Sequence, residues 1–159
     1  MLLAVVTISD RCSQGRMTDT AGPAVVEILR GEWPDARIET ALLPDEEDAV
    51  AMLLEQFAAD GAALVLTEGG TGLGPRDRTP EATRRVIDRE APGLAEAMRS
   101  IGAAQNQFAW LSRAVCGLKG STLIVNLPGS KRGATESLAS ILKLLKHGIE
   151  VAGGGQTHP

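Results

Sequence analysis

Apolar positions along this chain fall into two alternating kinds of run. The first kind is short and nearly unbroken. Residues 2–8 (Leu-Leu-Ala-Val-Val-Thr-Ile) and 62–66 (Ala-Ala-Leu-Val-Leu) have the continuous apolar character of strands covered on both faces. Residues 37–43 alternate polar and apolar and predict a further strand. Residues 113–118 and 121–127 predict two more, joined as a hairpin at Lys119-Gly120. The second kind repeats with helical spacing. Val25, Val26, Ile28 and Leu29 supply the apolar side of a helix over residues 20–30. Val50, Leu53, Leu54 and Phe57 recur at i, i+3, i+4 and i+7 between Glu46 and Asp60. A third helix spans residues 80–90, and Pro92-Gly93 separates it from a fourth at 94–101. Leu138, Ile141, Leu142 and Leu145 mark a last helix after Gly133. Residues 105–110 fit neither template.

The order β-α-β-α-β-loop-α predicts an α/β protein with a mainly parallel sheet and right-handed crossovers. No linker or internal repeat divides the chain, so residues 1–152 form one expected domain. The glycines from Gly153 open a tail, 153–159, expected to be disordered. Sheets of this type bind ligands beyond the carboxyl ends of their strands. Those ends carry Ser9-Asp10-Arg11, Pro44-Asp45, a glycine-rich stretch with Asp77, and Pro128-Gly129-Ser130. Four polar loops are thereby expected on one rim.

The glycine-rich stretch, Thr67-Glu68-Gly69-Gly70-Thr71-Gly72-Leu73-Gly74-Pro75-Arg76-Asp77-Arg78-Thr79-Pro80, holds the most chemistry. It runs from a strand to a helix, with Thr79 placed as N-cap and Pro80 at the first helical position. Glycines let the backbone approach a ligand, and a helix N-terminus favours an anion. By itself the cluster reads equally as a flexible turn. It is not a Walker A loop, because Pro75-Arg76 follow Gly74 where Lys and Ser or Thr are required. Nor is it the dinucleotide fingerprint, since Gly70, Gly72 and Gly74 recur at every second residue. Asp77 lies between Arg76 and Arg78, which should keep it ionised. It would then hold a metal or orient a reacting group, or else belong to a surface ion-pair cluster.

Composition narrows the partners. The chain has 159 residues, 43% of them hydrophobic and 23% charged, as in soluble globular domains. Its formal net charge of −4 disfavours nucleic acid. Arg11, Arg76, Arg78, Arg113, Lys119, Lys131 and Arg132 fall in or beside loops. Basic loops on an acidic body fit a small anion, although Arg113 and Lys119 read equally as scattered surface charges. No apolar run approaches the ~20 residues needed to span a bilayer, so no membrane partner is expected. The apolar start lacks a basic n-region and a cleavage site, which predicts a cytoplasmic protein. Cys12 and Cys116 lack metal-ligand spacing and are expected to be reduced thiols.

Taken in order, Ile8-Ser9-Asp10-Arg11, Leu43-Pro44-Asp45-Glu46, Glu68-Gly69-Gly70-Thr71-Gly72 with Arg76-Asp77 and Thr79-Pro80-Glu81-Ala82, and Asn126-Leu127-Pro128-Gly129-Ser130 form a set. In these motifs the chain resembles the molybdopterin adenylyltransferases of the MogA/MoaB type and is similar to the gephyrin G domain. The resemblance runs from Leu2 to about Ala152. It implies a three-layer α/β/α fold and a homotrimer. It also implies transfer of AMP from ATP to the terminal phosphate of molybdopterin, with Mg²⁺, releasing pyrophosphate. A molybdenum-insertion protein would be the downstream partner. Matched position by position, Asp45 and Asp77 are implied as catalytic and as Mg²⁺ ligands. Ser9, Asp10, Gly69, Gly70, Thr71, Gly72, Ser112, Pro128, Gly129 and Ser130 are implied to line the ligand site, and Lys131, opening the last helix beside them, is expected to hold an anion there together with the loop amides. Arg78 stands where the family commonly has a small apolar residue, and Lys131 where it often has proline. A second reading is a non-catalytic molybdopterin-binding or scaffold paralogue of the same fold.

Overall fold

The fold is described from a computed structural model, for residues 1–155. Six strands form one sheet in the order β2-β1-β3-β6-β5-β4. β1 (Leu2–Ile8) lies between β2 (Arg37–Leu43) and β3 (Ala62–Glu68), parallel to both, and β6 (Thr122–Leu127) continues the parallel set beside β3. β5 (Cys116–Lys119) and the short β4 (Arg89–Glu90) add an antiparallel edge. The mainly parallel α/β sheet expected from the pattern is therefore present.

Strand alternation assigns the two faces. Leu3 and Val5 of β1, Leu64 and Leu66 of β3, and Leu123, Val125 and Leu127 of β6 face one core. Helices α2 (Ala21–Glu32), α5 (Pro92–Ala103) and α6 (Lys131–Ala152) cover it. The intervening side chains, among them Ala4, Val6, Val65 and Ile124, face α3 (Glu47–Ala59) and α4 (Thr79–Val86). Helices on both faces give the three-layer arrangement, and the middle strands are apolar throughout for that reason.

Four boundaries differ from the pattern. Residues 9–15, expected as a loop, begin with a helical turn, α1 (Asp10–Ser13), because Ser9 Oγ accepts the Cys12 N–H at 3.2 Å. The third expected helix stops at Val86. Asp88 then donates its N–H to Leu118 O and Ala91 its N–H to Cys116 O, turning 89–90 into an edge strand. The strand expected from Arg113 starts only at Cys116, since the Arg113 N–H is drawn to Thr71 O at 2.9 Å. The last helix begins before Gly133, at Lys131, capped by Ser130 Oγ on the Gly133 N–H at 3.1 Å. At its far end Gly153 and Gly155 donate to Ile149 O and Glu150 O, closing the helix. Residues 156–159 of the expected tail lie outside the described residues.

One polar group is built into the second core. Asn126 is fully buried and donates Nδ2–H to Thr67 Oγ1 at 2.9 Å and Thr83 Oγ1 at 2.8 Å. Its Oδ1 accepts the Val115 N–H at 3.1 Å. It ties β3, β6, α4 and the segment leading into β5 through a single side chain. Removing it leaves the buried Val115 N–H without this acceptor, so Asn126→Ala is expected to cost about 2–4 kcal/mol in urea unfolding.

Candidate active site

The loops after β1, β2, β3 and β6 meet at one end of the sheet, held there by backbone contact. Gly69, at φ +100°, packs so closely that an added Cβ would lie 2.1 Å from Ile8 O. A Cβ at Gly129 would approach Gly69 Cα at 3.0 Å. Gly70, at φ +63°, leaves no room for a Cβ, which would meet Thr79 Oγ1 at 2.2 Å and Asp45 Oδ1 at 3.1 Å. Of the two readings of the glycine cluster, the flexible turn is thus excluded and the bend is fixed. Thr79 does not cap α4. It is buried, donating Oγ1–H to Gly69 O at 2.9 Å and N–H to Gly70 O at 3.1 Å.

The two aspartates implied as catalytic both lie against this bend, Asp45 at Gly70 and Asp77 at Gly72 and Gly74. Asp45 and Asp10 exchange bonds: the Asp10 N–H donates to Asp45 Oδ2 at 2.9 Å, and the Asp45 N–H to Asp10 Oδ1 at 3.0 Å. Burial raises the Asp45 carboxyl above the ordinary range; the bond from Asp10 opposes this, and the Asp10 and Asp77 charges add to it. Asp10 is lowered instead, mainly by the Arg76 guanidinium, which forks onto its two oxygens at 3.0 and 2.9 Å. Asp77 Oδ2 accepts the Gly74 N–H at 2.8 Å, folding the carboxylate back under Gly72 and Gly74.

The arginines beside Asp77 serve other carboxylates. Arg76 reaches Asp10 and Glu46, while Arg78 grips Glu47 at 3.0 and 2.7 Å. The alternative reading of Asp77 as an ion-pair partner of its neighbours is not what the side chains form, and Arg78 has a structural role, holding α3 to the loop. Lys119 pairs with Asp88 and Arg132 with Glu136. Much of the basic charge in the loops is therefore occupied by partners within the protein.

A cleft of about 460 Å³ opens between the glycine bend, α5, the 3₁₀ segment Gln107–Leu111 and the start of α6. Of the implied residues, Gly70, Thr71, Gly72, Asp77, Ser112, Pro128, Gly129 and Ser130 line it. Ser9, Asp10, Gly69, Asp45 and Lys131 do not. Ser9, Asp10 and Asp45 stand behind the glycine bend, and Lys131 is exposed at the first turn of α6. Arg99 of α5 is the cation that lines the cleft, and it also bonds Ser112 O and Ala114 O at 3.3 and 3.2 Å. Its position in a helical pattern gives no sign of this.

Arg113 is the other residue the spacing leaves undistinguished. Its Nε–H donates to Gly72 O at 2.8 Å, and its terminal nitrogens reach Asp77 O and the Glu81 carboxylate. With the backbone bond to Thr71, one residue thereby fixes both ends of the segment carrying Asp77.

A glycine bend and a capped helix N-terminus facing one cleft at the carboxyl ends of the strands, with carboxylates beside them, define the class: an α/β protein with its cleft in the usual ligand position of such sheets. Residues 4–147 match a family described as "Probable molybdopterin binding domain", and the chain belongs to that family. It is 39% identical to the molybdopterin adenylyltransferase of Escherichia coli K12, over 92% of this chain and 78% of that one. It is 38% identical to the molybdenum cofactor synthesis protein cinnamon of Drosophila melanogaster, over 94% of this chain and 25% of that one. Several longer curated relatives are spanned for less than half of their length. Among solved structures, the molybdopterin biosynthesis enzyme MoaB of Thermus thermophilus superposes with a TM-score of 0.90 at 46% identity, covering 96% of each chain.

The Arg113 clamp has a measurable consequence. Arg113→Lys keeps the charge and loses the fork. It is expected to cost about 1.5–3 kcal/mol, the range for hydrogen bonds to charged groups. Amide hydrogen exchange should rise at Gly74, Asp77 and Thr79 while the β1 amides stay protected.

Proposed function

We propose that this protein adenylylates molybdopterin. A terminal phosphate oxygen of the pterin forms a bond to the α-phosphorus of ATP, the bond from that phosphorus to the β-bridging oxygen breaks, and pyrophosphate leaves with the electron pair. The observation that carries this reading is the fixed glycine bend, which presents Asp77 to the same cleft as the N-terminus of α6. The relatives named as adenylyltransferases support it.

The chemistry demands that several negative groups share a small space, so positioning and charge neutralisation dominate. Backbone amides of the glycine bend, Ser130 at the helix N-terminus and Arg99 supply positive potential without a covalent nucleophile. The apolar wall of Met98, Ile101, Phe108 and Leu111 suits the flat pterin and excludes water from it. Lys131, on the rim outside the cleft, attracts anions from solvent.

Among the described residues no cluster of three or more His, Cys, Asp or Glu side chains could hold a metal alone. Mg²⁺ is satisfied by one or two carboxylates when phosphates provide further oxygens. Asp45 and Asp77 fit that pattern, because the Asp77 charge helps to raise the Asp45 carboxyl and a shared cation would relieve it. When bound with ATP, Mg²⁺ would neutralise phosphate charge. ATP as co-substrate, a homotrimer and a cytoplasmic setting complete the reading. The exposed Trp110, which does not line the cleft, offers an apolar surface to an assembly or to a molybdenum-insertion partner.

The test is pyrophosphate release from molybdopterin, ATP and Mg²⁺. Asp77→Asn keeps the shape and removes the charge, so it should retain molybdopterin binding while turnover falls roughly a hundredfold or more. A variant turning over near the parent rate would leave Asp77 a purely structural group. A parent that binds the pterin and releases no pyrophosphate would be a binding or scaffold member of the family.

A further inference from the structure

At the root of the glycine bend, one hydroxyl serves two carboxyls. Thr7 Oγ1 lies 2.6 Å from Asp19 Oδ2 and 2.9 Å from Glu68 Oε1. Thr7 and Glu68 are paired across β1 and β3, on the last shared rung before the chain leaves for Ser9-Asp10 on one side and Gly69-Gly70 on the other. A hydroxyl has one hydrogen, so it can donate to one of these oxygens only. Asp19 is the natural acceptor. Its other oxygen already takes the Ala21 and Gly22 N–H groups at 3.0 Å, binding its charge to the N-terminus of α2. The contact with Glu68 then needs a hydrogen of its own.

Apart from the Thr7 hydroxyl, the surroundings of Glu68 disfavour a carboxylate. It is 1% exposed, and its Oε2 has no hydrogen-bond partner. β6 sets Leu127 beside it, α6 brings the buried Ala134 and Leu138 to the same core, and α2 presents Gly22, without a side chain. The charged group facing it is Asp19, of like sign. Farther along α2, Arg30 pairs with Glu27 at 2.8 Å. Burial, reinforced by Asp19 and opposed by Thr7, pushes the Glu68 carboxyl up to about 7.

We infer that Glu68 is a neutral carboxylic acid whose proton bonds to Thr7 Oγ1 while Thr7 donates to Asp19, and that this chain is a positioning device for the two loops rooted beside it. Losing the proton leaves two carboxylates around one hydroxyl at the base of both loops. Gly22 is part of the arrangement, because a Cβ there would lie 2.5 to 2.8 Å from oxygens of Asp19, Thr7 and Glu68. The effect on catalysis rests on the adenylyl-transfer reading; the protonation does not.

The direct test is the ¹³C chemical shift of the Glu68 carboxyl in the unmodified protein as a function of pH. Its midpoint should lie near 7, far above the ordinary carboxyl range, and a midpoint between 4 and 5 overturns the inference. Glu68→Gln supplies a neutral isostere with its own donor. Between the ordinary carboxyl range and about pH 7, the folded parent holds a proton that its unfolded chain has released. Parent stability therefore falls as pH rises through this window and levels above it. Relative to the variant, the parent's unfolding constant should rise about tenfold per pH unit from 5 to 7. Parallel pH profiles would count against the proton. So would added Mg²⁺ or Ca²⁺ at pH 8 stabilising the parent and not Glu68→Gln, which would make the cluster a cation site. Pyrophosphate release should decline above pH 7 in the parent and hold in the variant; identical alkaline limbs would overturn the positioning role. A parent without turnover speaks against adenylyl transfer, and the carboxyl titration still decides the protonation.

Discussion

The rim depends on how closely three backbones can approach where the strands end. Gly69 rests on the Ile8 carbonyl and Gly129 rests on Gly69. No side chain fits at Gly69, and a Cβ at Gly129 would have to displace its neighbour. The loops after β1, β3 and β6 are therefore stacked rather than merely adjacent. A displacement of one is transmitted directly to the others, since packed backbone yields little. Thr79, holding the carbonyls of Gly69 and Gly70, locks α4 into the same stack.

On this frame the carboxylates acquire different characters. Asp10 is exposed to a guanidinium and lowered, Asp45 is half-buried and raised, and Glu68 is sealed in the core and raised further. All three lie at the ends of β1, β2 and β3. Burial and nearby charge set the order, as the physics of ionisation requires. A site with one cation lining its cleft, Arg99, relies on backbone amides and a helix N-terminus for much of its positive potential. That suits ligands whose charge is spread over several phosphate oxygens.

Much of this was legible in the sequence. Unbroken apolar runs at 2–8 and 62–66 identified the central strands, and helical spacing identified the long helices. The loops carrying Asp10, Asp45, Asp77 and Ser130 were expected on one rim and do lie at one end of the sheet. What periodicity cannot express is where a long side chain goes. Arg76 and Arg78 flank Asp77 in sequence and turn to Asp10, Glu46 and Glu47 in space. Arg99 and Arg113 carry no local signature, since their partners are 13 to 41 residues away. The Thr7–Glu68 contact spans 61 residues and exists only through strand register. Ser9 could have signalled α1 as an N-cap, but one helical turn is too short to leave a period.

The supports on the two sides of the glycine bend also differ in how they meet the surrounding solution. The Arg76 side chain that braces Asp10 is 56% exposed, so dissolved ions compete for that fork. The opposite side rests on the half-buried Arg113, gripping backbone carbonyls and Glu81, and on Thr79 beneath it. Ionic strength consequently acts on one half of the rim more than the other. In dilute buffer both halves are held, whereas in concentrated salt the Asp10–Asp45 side loosens first and the Asp77 side keeps its shape.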